Sequence, residues 1–251
     1  MRHFVAGAQG DVPGAVGASA AVRHQPIGDT AVPTPICEAP TTIRQIKSGW
    51  WTPVAFVGGS LTVGTGSSNT AVTSWRRLFM RHMHDRYETT YNCRIGEVMV
   101  GIGAMGSSGM SFMLPRYVPK KKPTLVFIEH CVNDNGTKDT DLVRKGIEGL
   151  IRQVRSIDTN PDVVLLCAAV RTDSDASKRT HETFDLYRDV ARHYGVACLD
   201  IDAWVQRTLS ERGQTWDAVG IDHCHMNDYG NHMWFECLRE WFEDQVRIYE
   251  Q

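Results

Sequence analysis

The chain has 251 residues, 42% of them hydrophobic and 22% charged, with a formal net charge of -2. This composition supports one sizeable core of up to about 200 residues plus an appendage. The near-neutral balance gives no electrostatic case for a nucleic-acid or membrane-surface partner, and no stretch approaches the roughly 18 continuous apolar residues of a membrane span.

Residues 1–48 are rich in Ala, Gly, Val and Pro without a sustained period of 2 or 3.6, which reads as an extended or partly disordered N-terminal arm. Gln9, Asp11 and Pro13 interrupt any signal-peptide core there, so a cytoplasmic protein is the expectation. Seven cysteines without repeating spacing fit a reducing compartment. Cys131, Cys167 and Cys198, in or beside apolar runs, read as small buried hydrophobes.

The remaining residues, 49–251, form one domain. "PVAFVGG" reads as a buried strand, and Val72, Trp75, Phe79, Met83 and Tyr87 follow at helical spacing. "RIGEVMV" and "TLVFIE" are the next strands. The run Lys120-Lys121-Lys122 between Pro119 and Pro123 reads as a solvated loop. Val143, Ile147, Leu150, Ile151 and Val154 mark a helix, and "VVLLCAAV" a strand covered on both faces. Phe184, Tyr187, Val190, Ala191 and Tyr194 mark another helix, "VACLDI" a fifth strand, and Met233, Cys237, Leu238, Trp241 and Gln245 the last helix. Strands alternating with helices imply right-handed crossovers and a doubly wound α/β sandwich. Ligands in such folds sit beyond the carboxyl ends of the strands. There the sequence offers "GGSLT", "GIGAMGSS", "EHCVNDNG" and, after the last strand, "DHCH".

Ser60, after Gly58 and Gly59, would stand exposed at a strand-to-helix turn, although the G-x-S-x-G elbow is not matched because Thr62 takes the last glycine position. "GIGAMG" fits G-x-G-x-x-G, with Glu129 at the next strand end where a ribose-binding acid could sit. Gly109 and Pro115 interrupt the helix that a dinucleotide would require, which favours a loop of backbone N–H groups able to hold an oxyanion. Asn133 reads either as part of an Asx turn or as an amide donor at the same sheet edge as Ser60.

Asp222, His223, Cys224 and His225 are all metal-ligand types. Two histidines two apart point to opposite sides when extended, a third ligand is not evident, and neither H-E-x-x-H nor C-x-x-C occurs. Asp222 and His225, three apart, instead suit a carboxylate that accepts an imidazole Nδ1–H and leaves Nε2 for a serine. The plainer alternative is that Asn227 or Asp228 caps the last helix and the histidines are surface residues.

Four blocks, "FVGGSLTVGTGSS", "GIGAMGSSG", "EHCVNDNG" and "DHCHMNDYG", together resemble the SGNH/GDSL hydrolase superfamily, in order, from about Trp50 to Glu243. The resemblance implies a flavodoxin-like three-layer α/β/α sandwich with a mainly parallel sheet of about five strands. It implies Ser60 as nucleophile, Asp222 and His225 as the acid–base pair, and an oxyanion hole from Ser60, Gly103 or Ala104, and Asn133. Gly59 stands where many members carry aspartate. His223 and Cys224 are then spacers. The expected activity is that of a serine esterase on small acyl esters, acetyl above all and carried on carbohydrate, without metal or cofactor. An O-acyltransferase would use the same residues; a dinucleotide-binding oxidoreductase and a non-catalytic carbohydrate-binding module are the other readings. Met105, Met110, Phe112 and Met113 are candidates for an acyl pocket or simply for core.

Overall fold

The computed structural model describes residues 35–172 and 175–251. Five strands, β1 (Trp51–Gly58), β2 (Arg94–Gly101), β3 (Leu125–Glu129), β4 (Asp162–Cys167) and β5 (Ala197–Asp200), form one sheet in the order β2-β1-β3-β4-β5. Every pairing is parallel. In this order β1 runs on to β2 on one side, and the chain then crosses to β3 on the other, so β1 and β3 flank the switch point of the topology. All five residues of β3 and all six of β4 are buried, which explains why they read as apolar runs without alternation.

Two helical layers cover the sheet. On one face α5 (Ser107–Tyr117), α7 (Thr140–Arg155) and α8 (Asp175–Tyr194) pack side by side. On the other α10 (Asp228–Tyr249) packs against α1 (Pro40–Lys47), α3 (Trp75–Met83) and α9 (Ile201–Glu211). Short helices α2 (Ser60–Val63) and α6 (Cys131–Asp134) follow β1 and β3 directly, and α4 (Thr89–Tyr91) continues α3 beyond a π-helical turn at His84–Glu88. The three-layer sandwich expected from the sequence is therefore present. Phe56 of β1 stacks on Phe127 of β3 with ring centroids 5.4 Å apart, while Trp75 of α3 stacks on Trp234 of α10 at 5.1 Å.

Residues 40–47 correct the expectation of an arm over 1–48: they form α1, with Ile43 and Ile46 buried. The Asp162 carboxylate at the start of β4 accepts the Thr41 and Thr42 N–H groups (3.2 and 2.7 Å) and the Thr42 hydroxyl (2.6 Å). Those first-turn N–H groups have no partner within the helix, and a carboxylate opposite them also complements the helix dipole. Residues 1–34 of the expected arm lie outside the described residues.

Helix α5 is a second correction, because it runs through both Gly109 and Pro115. Proline lacks the N–H that would bond to the carbonyl four residues earlier. That carbonyl, on Ser111, accepts the Gln153 amide of α7 at 2.9 Å instead. The other differences are at boundaries. Helix α3 starts at Trp75, leaving Val72 exposed, and Ile201 opens α9 where the fifth strand was expected to continue. Lys120 and Lys121 lie in a short 3-10 turn, Pro119–Lys121, and Lys122 follows it, all three exposed. All seven cysteines are free thiols; Cys131 and Cys167 are buried and Cys198 is half-buried. Among the described residues no helix is long and apolar enough to cross a membrane.

Candidate active site

The end of β1 is aligned with the ends of both neighbours, Gly58 pairing with Gly101 of β2 and with Glu129 of β3. Whatever follows these strands is therefore delivered to one edge. After β1 the chain passes through Gly59 (φ -90°, ψ -150°) into the first turn of α2, with Ser60 as its first residue. Two side chains of α3 grip that turn from behind: Trp75 Nε1 donates to the Leu61 carbonyl (2.9 Å) and Arg76 Nε to the Thr62 carbonyl (3.2 Å).

The histidine arrives from the other end of the chain. Residues 220–226 form a tight loop closed by an antiparallel bridge between Gly220 and Met226 and by the Ile221 N–H donating to the His225 carbonyl. The loop is tied down by Arg171 N–H to the His223 carbonyl (2.9 Å) and by Trp216 Nε1 to the Asp222 carbonyl (2.5 Å). Within it, Asp222 Oδ1 accepts the N–H groups of Cys224 (2.9 Å) and His225 (2.7 Å), and Oδ2 lies 2.7 Å from His225 Nδ1. With Nδ1–H donated to Asp222, His225 Nε2 is left to accept the Ser60 hydroxyl, 2.7 Å away. Burial by itself would raise Asp222, but the Cys224 N–H, the His225 ring and the His225 N–H outweigh it and hold the carboxyl at about 2. The carboxylate is thus charged at any working pH. The structure brings Ser60, His225 and Asp222 into one hydrogen-bonded chain.

Asn133 sits in α6, and its side chain lies against the Cα of Gly59: a Cβ built there would be 2.0 Å from Asn133 Oδ1. Gly103 and Ala104 form the turn after β2, closed by Met105 N–H to the Ile102 carbonyl (3.2 Å) and anchored by Ile102 N–H to the Gly58 carbonyl (3.0 Å). Ala104 has φ 59°, the left-handed region that favours glycine. An alanine held there carries backbone strain that a glycine would not. The methionine group divides: Met110 is fully buried in the core, Met105 and Met113 pack partly against it, and Phe112 stands in solvent.

Three buried polar residues around this edge had no role in the triad reading of the sequence. Asp134 accepts the Ser107 N–H (2.7 Å) and the Tyr187 hydroxyl (2.6 Å), so an acidic side chain already occupies the N-terminus of α5. A pyrophosphate would need that position, and the dinucleotide reading loses its anchor. His130 is fully buried, which pushes it down to about 4; as a neutral ring it donates Nδ1–H to the Met105 carbonyl (2.8 Å), holding the turn after β2 against α6. Glu129, at the end of β3, faces the peptide between Gly58 and Gly59. Glu129 and His130 put titratable types at the end of the apolar strand β3, which is the signal that points to them, while Asp134 is hidden in the Asn-Asp-Asn-Gly cluster that reads as a turn.

A metal trio is also available, since ligand atoms of Asp222, His223 and Cys224 lie within 4.8 Å of one another. Its donor chemistry is poor. Burial first, and Asp222 second, push the Cys224 thiol up to about 12, and the Asp222 carboxylate is already shared by His225 and two N–H groups.

A serine, a histidine and an aspartate hydrogen-bonded in series at the switch point of a parallel sheet have the geometry that nucleophilic attack by the serine would need. Residues 56–233 match the model of the GDSL-like Lipase/Acylhydrolase family, and the chain belongs to that family. No curated protein matches it by sequence. Among solved structures, it is similar to a two-domain esterase active on acetylated mannans, co-crystallised with mannopentaose. The TM-score is 0.70 at 21% identity, over 84% of this chain and 54% of that one, so the chain spans about half of that protein. An acetylxylan esterase from Geobacillus stearothermophilus aligns at TM-score 0.65 and 15% identity, over 80% of this chain and 96% of its own. An α/β hydrolase from the metagenome of Lake Arreo, Spain, aligns at 0.66 and 17%, over 76% and 95%. At these identities the likeness is one of fold.

Proposed function

We propose that this chain is a serine esterase that removes small acyl groups, acetyl above all, from carbohydrate. The observation that carries the reading is the pair of 2.7 Å contacts joining Ser60 Oγ to His225 Nε2 and His225 Nδ1 to Asp222 Oδ2. The working unit in this reading is residues 35–251, a single compact body.

Ser60 Oγ attacks the ester carbonyl as His225 Nε2 takes its proton, and Asp222 stabilises the imidazolium that forms. The negative charge on the carbonyl oxygen is met by the Ser60 N–H, the N–H of Gly103 or Ala104, and the Asn133 amide. His225 then returns its proton to the leaving alcohol. In the second half-reaction His225 deprotonates a water, which attacks the acyl-Ser60 carbonyl; the acid leaves and Ser60 recovers its proton.

The carbohydrate part of the proposal rests on two supports. The names of the similar structures include esterases of acetylated mannan and xylan. A cavity of about 440 Å³ lies between the segment that follows α6 and helix α8, its wall mixing Asn135, Thr137, Lys138 and Glu182 with the apolar Val143 and Leu186. Its polar groups can bond sugar hydroxyls, while Val143 and Leu186 offer an apolar surface to the face of a sugar ring.

The test is labelling by a fluorophosphonate together with hydrolysis of p-nitrophenyl acetate and acetylated oligosaccharides. Wild type should label and turn over, and Ser60→Ala should do neither. Equal labelling of Ser60→Ala would refute Ser60 as nucleophile.

A further inference from the structure

Glu129 is buried to 1% exposure at the edge where Ser60 stands, and the reaction just described does not use it. Its backbone carbonyl accepts the Gly59 N–H at 3.1 Å, and its side-chain Oε2 lies 3.3 Å from the same N–H. Oε2 also accepts the Thr62 hydroxyl at 3.1 Å. Gly59 precedes the nucleophile and Thr62 follows it by two residues, so one carboxyl oxygen holds both arms of the bend that presents Ser60. The geometry is close-fitting. A Cβ on Gly58 would come within 2.0 Å of Thr62 Oγ1, so the hydroxyl reaches Glu129 across a backbone without side chain. The second carboxyl oxygen, Oε1, is buried without a partner among the described residues.

We propose that Glu129 is a positioning residue for the esterase reaction, its carboxyl clasping Gly59 and Thr62 so that the Ser60 hydroxyl and N–H keep their aim. The inference rests on the esterase reading. The clasp works as a neutral acid. The titratable groups that act electrostatically on Glu129 or feel its charge are Asp134 and Cys131 of α6, Tyr187 of α8 and Cys224 of the loop before α10. Each of these is neutral or negative. Burial therefore pushes the carboxyl up to about 8, against the hydrogen bonds from Thr62 and Gly59 and with a small push from Asp134. An unpaired, fully buried oxygen such as Oε1 is far cheaper as part of a neutral acid than of an anion. Once ionised, Glu129 would set a negative charge one peptide away from the Ser60 N–H, opposing the oxyanion that this N–H must stabilise.

The experiment compares wild type, Glu129→Gln and Glu129→Ala for kcat and KM on p-nitrophenyl acetate from pH 6 to 10, with melting curves for each. Glutamine copies the neutral acid. The Gln variant should keep kcat within about threefold at pH 7 and lose the fall in kcat that wild type shows above about pH 8. The folded Ala variant should lose at least about tenfold in kcat with KM little changed, because the bend slackens while the rest of the site stands. If alanine does not fold, the pH profiles of wild type and glutamine decide alone. A wild-type alkaline limb kept unchanged in Glu129→Gln, or a folded Glu129→Ala with wild-type kcat, overturns the positioning role while leaving the esterase reading intact. A wild type inactive on every ester overturns both.

Discussion

Gly59→Ala changes one hydrogen to a methyl group and should nearly silence the enzyme without unfolding it. The backbone at Gly59 is extended and at negative φ, so alanine is not strained there. The new Cβ, however, would sit 2.0 Å from Asn133 Oδ1 and 3.1 Å from its Cγ, where ordinary contact begins at 3.4 Å. The carboxamide must withdraw by about 1.4 Å, and a side chain at the edge of the sheet can do so at modest cost. What it cannot do is stay where the proposed oxyanion role needs it. Loss of one such donor raises the barrier by about 3–4 kcal/mol, so kcat should fall roughly 100- to 1000-fold, with KM and melting temperature little changed. The diagnostic measurement is a double-mutant cycle on p-nitrophenyl acetate hydrolysis. All three atoms nearest the added Cβ belong to Asn133, so in an Asn133→Ala background the same methyl group has room. There Gly59→Ala should cost less than about threefold. Losses that multiply, or a Gly59→Ala enzyme with full kcat, would refute the link between these two residues. Many members of the family carry aspartate at this position, but Gly59→Asp should fail here for the same reason.

Asp222→Asn should lower kcat by about 10²–10⁴ with KM near wild type, because the neutral amide neither fixes the His225 tautomer nor stabilises the imidazolium; steady-state kinetics at pH 7 check this. The pH dependence of stability should show two opposing carboxyls in urea titrations. Asp222, held at about 2 in the fold, contributes stability that is present above about pH 4 and lost as the pH falls toward 2, a small effect because the side chain is 44% exposed. Glu129, raised from 4.5 to about 8, does the reverse: stability declines as the pH rises from about 4.5 to 8, and Glu129→Gln should flatten that slope. Lys138→Ala and Glu182→Ala should raise KM for acetylated oligosaccharides several-fold while leaving p-nitrophenyl acetate unaffected; equal effects on both substrates would remove the cavity from the sugar-binding proposal.

Most of the architecture is legible in the sequence because five apolar runs, each followed by helical spacing, leave few ways to wind the chain. The aligned strand ends then explain why "GGSLT", "GIGAMG", "EHCVND" and "DHCH" meet at one edge. What the sequence hides is long-range. Helix α1 has only two buried isoleucines three apart and is fixed by Asp162, some 120 residues away in the chain. Pro115 reads as a breaker because nothing local reveals that Gln153 will satisfy the carbonyl it orphans. Asn133 and Gly59 can be named from sequence, but their contact cannot. Glu129 was visible only as a possible ribose ligand, since its true neighbours, Gly59 and Thr62, lie on another strand's exit.

Ser60 and His225 are 165 residues apart, and α3 and α10 link the segments that carry them. Asn231, in the first turn of α10, accepts the Trp75 N–H (3.0 Å) and donates to the Met226 carbonyl (2.8 Å), while Trp75 reaches the turn of Ser60 through Leu61. The Asp228 carboxylate likewise takes the Ser68 N–H (2.7 Å) and the Thr73 hydroxyl (2.7 Å). Such a contact closes late, since it spans most of the chain and waits for the C-terminal helix to dock. During refolding, fluorophosphonate reactivity should therefore lag the far-ultraviolet signal, and it would serve as a clock for the docking of α10 rather than for assembly of the sheet.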